Sequence, residues 1–335
     1  MARAGLPRGL PRSGRARDHA HRAHRGARAR HRGAHVAREL GIGLRTDQEP
    51  AEYEAIARSA EAAGIDVLSV FHDLLYQPAI GPLLLMARVT ERIRLGPAAL
   101  NPFTLHPYEI AGQIAMLDAV SGGRAYLGLA KGAWLDRLGI DETRPLSALK
   151  EAVAIVEALL AGDGSGVAGE RFTLAPGTTL AYARVRDRVP LLIGTWGEDT
   201  ARWAGTVADE VKIGGTANAD LLPVVRSWID NPDVRLVVGC VTVVDEDGDW
   251  ARERATSVVQ PYLDVVARHD PTLEPGEGPR LERFCIAGTP EEVAERVLDL
   301  WDAGADRVEL GTPQGRTPLA GVELVCDRVL PLVGR

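Results

Sequence analysis

The sequence predicts an α/β fold closed into a (β/α)8, or TIM, barrel. Three observations carry that expectation. Short strand-like and helix-like segments alternate from residue 38 onward. The strand-like runs, such as VPLLIG, VRLVVG and DRVEL, are apolar nearly throughout, as parallel strands covered on both faces must be. Eight strand–helix units can be counted, more than an open doubly wound sheet usually holds, and the turn after the first strand, GIGLRT, is not the G-x-G-x-x-G of a dinucleotide-binding unit.

The first strand is Glu39–Leu44 and its helix Pro50–Ala63, with Pro at the start and Gly64 just past the end. Asp66–Phe71, Ile93–Leu100 and Arg124–Ala130 are the next three strands, followed by helices over Pro82–Thr90, Pro107–Val120 and Leu146–Leu160. After the fourth helix comes a Gly-rich insertion, AGDGSGVAGERFTLAPGTT, which reads as a loop with a short hairpin. Pro190–Gly194, Glu210–Ile213 and Arg235–Val244 are strands five to seven, with helices over Glu198–Gly205, Ala219–Asp230 and Trp250–His269. A Pro/Gly/Glu-rich linker leads to a helix over Pro290–Ala303, the last strand Arg307–Leu310 and a closing helix Leu319–Leu330.

Charge divides the 335 residues in two. The net charge is −7, yet residues 1–37 hold ten Arg and one Asp, so the remainder carries about −16. Residues 1–37 are rich in Arg, His, Ala, Gly and Pro and cannot pack a core, so they are expected to be a disordered tail or sequence translated from upstream of the true start, in preference to an arm for an anionic partner or a targeting presequence. Residues 38–335 are the barrel domain. An acidic body argues against a nucleic-acid binder. The three cysteines, Cys240, Cys285 and Cys326, are far apart and odd in number, which argues against a disulfide framework and for a reducing cytoplasm. No apolar run of 18 residues occurs, so no membrane partner is expected.

In barrels of this kind chemistry sits at the C-terminal strand ends. The residues found there are Arg45, His72–Asp73, Asn101, Lys131–Trp134, Thr195–Trp196, Gly214–Thr216, Asp245 and Gly311–Thr312. Five of the eight histidines fall in the tail. Of the rest, His72 reads equally as a proton donor or a structural residue, with Asp73 able to set its charge. His106 and His269 read as structural. Lys131 and Lys212 reach strand ends, where an ion pair or a cofactor contact explains them equally well. In LLIGTWGEDTARWAG a strand, a Gly-rich turn and a helix follow one another, so helix-start N–H groups are offered to a phosphate. No P-loop, nucleophile elbow or zinc motif occurs elsewhere.

Residues 91–140, ERIRLGPAALNPFTLHPYEIAGQIAMLDAVSGGRAYLGLAKGAWLDRLGI, resemble the signature of the luciferase-like monooxygenase superfamily, nearest its methylenetetrahydromethanopterin reductase-like branch, which uses coenzyme F420. AGIDVLSV, ADEVKIGG and AGTPEEVAERV extend the likeness over about residues 39–332. The resemblance implies a non-prolyl cis peptide at Ala98–Ala99 behind a flavin-type ring, bending it and exposing its C5. It also implies Asn101 beside the ring, Lys131, Gly132 and Ala133 at its pyrimidine side, and the cofactor phosphate at Gly194, Thr195, Trp196 and Gly197. Lys212 joins the cofactor set, His72, Asp73 and Lys131 are the catalytic candidates, and Arg45 and Trp134 the substrate contacts. Two departures matter. Relatives often carry Asp-His where this chain has His72–Asp73, and Ala133 stands where the sugar-phosphate-oxidising branch has a catalytic Glu. The implied activity is hydride transfer between deazaflavin C5 and a small organic substrate, in a homodimer. The alternatives are an FMN monooxygenase served by a separate reductase, and a cofactor-free barrel with a binding role.

Overall fold

The computed structural model describes residues 38–273 and 280–335. The basic tail and most of the linker before residue 280 lie outside the described residues. Among these, eight parallel strands run in the order β3-β2-β1-β11-β9-β8-β7-β4. They are β1 (Glu39–Leu44), β2 (Val67–Val70), β3 (Arg94–Pro97), β4 (Leu127–Ala130), β7 (Leu191–Gly194), β8 (Glu210–Gly214), β9 (Arg235–Val244) and β11 (Arg307–Gln314). The helices are α1 (Pro50–Ala63), α2 (Ile80–Arg88), α3 (Pro107–Ser121), α4 (Pro145–Ala161), α5 (Glu198–Val207), α6 (Leu221–Ile229), α7 (Gly248–Val266), α8 (Pro290–Asp302) and α9 (Pro318–Leu324). The Gly-rich insertion carries the expected hairpin, β5 (Val167–Ala168) against β6 (Thr173–Leu174).

The barrel closes between β3 and β4. Bridges at Leu95–Ala125 and Leu100–Leu129, and the bond from the Leu100 N–H to the Gly128 carbonyl (3.0 Å), join the two edges. Two glycines make this approach possible. A Cβ at Gly128 would stand 2.1 Å from the Pro97 carbonyl oxygen, and one at Gly96 2.3 Å from that of Tyr126.

Five elements differ from the sequence expectation. The second helix begins at Ile80, upstream of Pro82. A helix leaves its first N–H groups unpaired anyway, so a proline in the first turn costs no bond. The third strand is regular only to Pro97, because the chain then turns through a cis Ala98–Ala99 bond. The last strand runs on to Gln314, past a cis Thr312–Pro313 bond, and its pairing with β9 shifts register between Gly311 and Gln314. A further strand, β10 (Cys285–Gly288), pairs with Val241–Val244 of β9. The closing helix is interrupted by a π turn at Val325–Val329.

The barrel interior is partly ionic. Side chains two apart on a strand share a face, so Glu210 with Lys212, and Arg307 with Glu309, all turn inward. Arg307 pairs with Glu210 (2.8 Å) and Glu309 (3.1 Å), and Glu309 with Lys212. Toward the N-terminal strand ends, Arg94 and Arg235 both pair with Glu39 (2.8 and 2.6 Å). Buried charges persist only when matched, and here each faces an opposite one. None of the described helices is long and apolar enough to cross a membrane.

Candidate active site

A cavity of about 880 Å³ opens at the C-terminal strand ends. It gathers His72, Asp73, Ala98, Ala99, Asn101, Lys131, Gly132, Trp134, the whole turn from Gly194 to Gly197, and Lys212. Arg45 is not on its wall. Its guanidinium pairs with Asp47 (2.5 Å), lies 5.3 Å from the Tyr76 ring and acts electrostatically on Asp73, and both Tyr76 and Asp73 line the cavity.

Each wall follows from local structure. Past β3, the cis Ala98–Ala99 bond and Ala130 at the end of β4 leave a stretch of wall with no side chain beyond Cβ. The Asn101 Oδ1 accepts N–H bonds from Phe103 (3.1 Å) and Thr104 (2.9 Å), which fixes the turn after β3. Its amide then packs on Gly132, whose φ of 88° and close approach to Asn101 exclude a side chain. Lys131 leans outward to Glu142 (3.0 Å). Trp134 sits in the left-handed region with the Arg137 guanidinium 5.7 Å from its ring.

Beside β4, the turn after its neighbour β7 is pinned twice. The Thr195 N–H donates to the Lys212 carbonyl (3.0 Å), and the Trp196 Nε1–H to the Gly214 carbonyl (2.9 Å). No side chain caps α5, whose N-cap is Gly197. Its first-turn N–H groups after Gly197 therefore have no helical partner, at the positive end of the helix dipole, and Gly197 and Thr200 line the cavity there, the Gly197 N–H donating to the Thr195 hydroxyl (2.9 Å). Glu198 and Asp199 in that first turn complement the same dipole.

The titratable groups differ in state. His72 Nδ1 accepts the N–H of Ala79 (3.3 Å), which leaves the neutral ring's proton on Nε2. Burial lowers its pKa, so the neutral form prevails. Burial raises the Asp73 carboxyl above the usual range, against the pull of Arg45 and Lys212. Lys212 is tied to Glu309 and lies 5.3 Å from the Phe71 ring, so its charge is already balanced. His106 lies off the cavity, capping α3 through Nδ1 (3.2 Å to the Tyr108 nitrogen).

Sequence reasoning missed several wall residues. Arg268 and His269 arrive from the end of the turn after α7, far from any strand end. Leu74, Leu75, Tyr76 and Leu138 enter from loops whose apolar content was the available signal.

The family described as luciferase-like monooxygenase matches residues 27–307. The 5,10-methylenetetrahydromethanopterin reductase of Methanopyrus kandleri is 28% identical over 87% of this chain and 97% of its own length. An F420-dependent glucose-6-phosphate dehydrogenase of Nakamurella multipartita is 27% identical over 84% of this chain and 92% of its own length. Among solved structures, the coenzyme F420 dependent tetrahydromethanopterin reductase from Methanopyrus kandleri superposes with a TM-score of 0.74 at 24% identity, covering 88% of this chain and 99% of that one.

Proposed function

This chain belongs to the luciferase-like monooxygenase family, an enzyme class of oxidoreductases, and on that premise we propose that it is a coenzyme F420-dependent oxidoreductase acting on a small organic substrate. One observation carries the reading. A side-chain-poor wall (Ala98, Ala99, Ala130) and an uncapped helix start (Gly197–Thr200) line a single cavity. That pairing fits a flat ring bearing a phosphate: the ring needs a smooth wall, and the phosphate needs unpaired N–H donors. The F420-dependent relatives, which align over more than four-fifths of the chain, favour the deazaflavin over FMN.

When bound, the deazaflavin supplies the hydride acceptor or donor, its C5. The chain's own residues do the rest. Ala98, Ala99, Asn101 and Gly132 flank the ring. Lys131 stands at the cavity rim near it. Thr195, Trp196 and the α5 start hold the phosphate, and Gly194 leaves it room. Lys212, balanced by Glu309, shapes the floor without adding net charge. His72 carries its proton on Nε2 and is the group placed to pass it to a substrate oxygen or nitrogen, with Asp73 as the neighbouring acid. Trp134 walls the substrate side, and Arg45, off the cavity wall, packs against Tyr76 and acts on the charge of Asp73.

Equilibrium titration with F420 and with FMN tests the proposal. Saturable binding of F420, tighter than that of FMN, is expected. Tight FMN binding with no response to F420 overturns it.

A further inference from the structure

Large apolar side chains left in water are ordinary when scattered, but a cluster around one opening marks a surface that a ligand covers. Leu75 is 80% exposed, Leu138 49% and Tyr76 40%, and all three line the cavity described above. They come from two separate loops, after β2 and after β4. Leu75 is held outward by a left-handed backbone (φ 72°), a conformation leucine rarely adopts. The apolar surface continues inward along Trp134 and Leu149. The lysines on the same cavity are already matched, Lys131 to Glu142 and Lys212 to Glu309. An anionic substrate would find neither of them unpaired.

We infer that the substrate is an uncharged molecule with an apolar body of several carbons, its chain lying between Leu75, Tyr76 and Leu138. The inference rests on the oxidoreductase reading for the ring's place in the cavity, and narrows the substrate to one class. It ranks sugar phosphates and other polyanions below such a molecule, although Arg268 also lines the cavity.

The test is a binding series of straight-chain 2-ketones, from butanone to 2-octanone, followed by the fluorescence of Trp134 and Trp196. The protein is loaded with oxidised F420, toward which ketones are inert as hydride acceptors. Affinity is expected to rise about fourfold per added methylene, the value of burying one CH₂ in an apolar site. Glucose 6-phosphate is expected to bind more weakly than any ketone beyond pentanone. Leu75→Asp should weaken 2-octanone at least tenfold while Leu75→Met keeps it within threefold; both sites face solvent, and thermal melting confirms the fold. A flat series, tighter binding of glucose 6-phosphate, or a Leu75→Asp variant that alters only the oligomeric state overturns the inference. The two claims separate cleanly. A flat series on protein that binds F420 removes the substrate class alone, and a rising series on protein that fails to bind F420 removes the cofactor alone.

Discussion

Gly194→Glu places a carboxylate at the mouth of the turn assigned to the phosphate. The backbone tolerates it, since a Cβ there meets only the Ala130 Cβ at 3.4 Å and the Leu129 oxygen at 3.9 Å. The effect is therefore on the ligand rather than the fold. A helix start contributes about 0.3–1 kcal/mol to a nearby anion, and up to ~2 kcal/mol where partly buried. A second negative charge about 5 Å away, at the effective dielectric of a protein surface, opposes it by roughly 3 kcal/mol. Solvent and side-chain movement reduce the sum to about 2–4 kcal/mol, a loss of roughly 30- to 700-fold in affinity. The assay is equilibrium titration with F420, using Gly194→Gln as the neutral match in size. The glutamine variant should lose no more than a few-fold. Equal affinities for the Glu and Gln variants would refute a phosphate at this turn.

Three further outcomes are expected. Gly128→Ala should destabilise the fold by about 1–3 kcal/mol or more in urea unfolding, because its Cβ meets the Pro97 oxygen where the barrel closes, whereas Gly81→Ala, open on all sides, should cost nothing; equal effects would contradict the closure argument. Glu309→Gln leaves Lys212 and Arg307 buried with less compensation, so a loss of roughly 3–5 kcal/mol is expected, partly recovered in Lys212→Met/Glu309→Gln; a wild-type unfolding midpoint in the single variant would show the pair to be dispensable. Asp73, with its pKa raised by burial, binds more protons folded than unfolded above the ordinary carboxyl range, so its charge lowers stability as pH rises through the raised pKa. Asp73→Asn should therefore gain stability over wild type at pH 7, and the gain should shrink as melting is measured toward pH 4; a gain that does not change with pH counts against the raised pKa.

The strands were the most legible part of the fold. Glu39–Leu44 and Arg235–Val244 are strands at the bounds read from their apolar runs. Runs buried on both faces leave little ambiguity once helices alternate with them. What escaped had physical reasons. Cys285–Gly288 is four residues long and stands between the linker and α8, so nothing in its pattern separates it from the lead-in to that helix. The last strand reads as ending at Leu310, yet β11 continues past Pro313 to Gln314, with its register against β9 shifting between Gly311 and Gln314. The inward pairing of Glu210, Arg307 and Glu309 has no local signal, since the partners lie on strands distant in sequence.

In the site, reading the residues just past each strand located one end of the cavity wall but not its rim. His72, Asn101, Gly132 and the turn at Gly194–Gly197 follow directly from that rule. Arg45 obeys the rule and still turns away, because Asp47 two residues on captures it. His269 does the reverse: it ends a helical segment, and tertiary packing alone brings it to the cavity. Which nitrogen of His72 carries the proton depends on the Ala79 N–H, a contact no spacing encodes.

The central claim is that one cavity holds a deazaflavin, with its ring on the small-residue wall and its phosphate at the α5 start. A crystal structure of the protein soaked with F420 tests it most directly. The account expects the ring against Ala98, Ala99 and Gly132, and the phosphate within hydrogen-bond distance of the N–H groups between Thr195 and Thr200. A ring or phosphate placed elsewhere in the cavity, or a cavity that takes FMN and leaves F420 unbound, would contradict it.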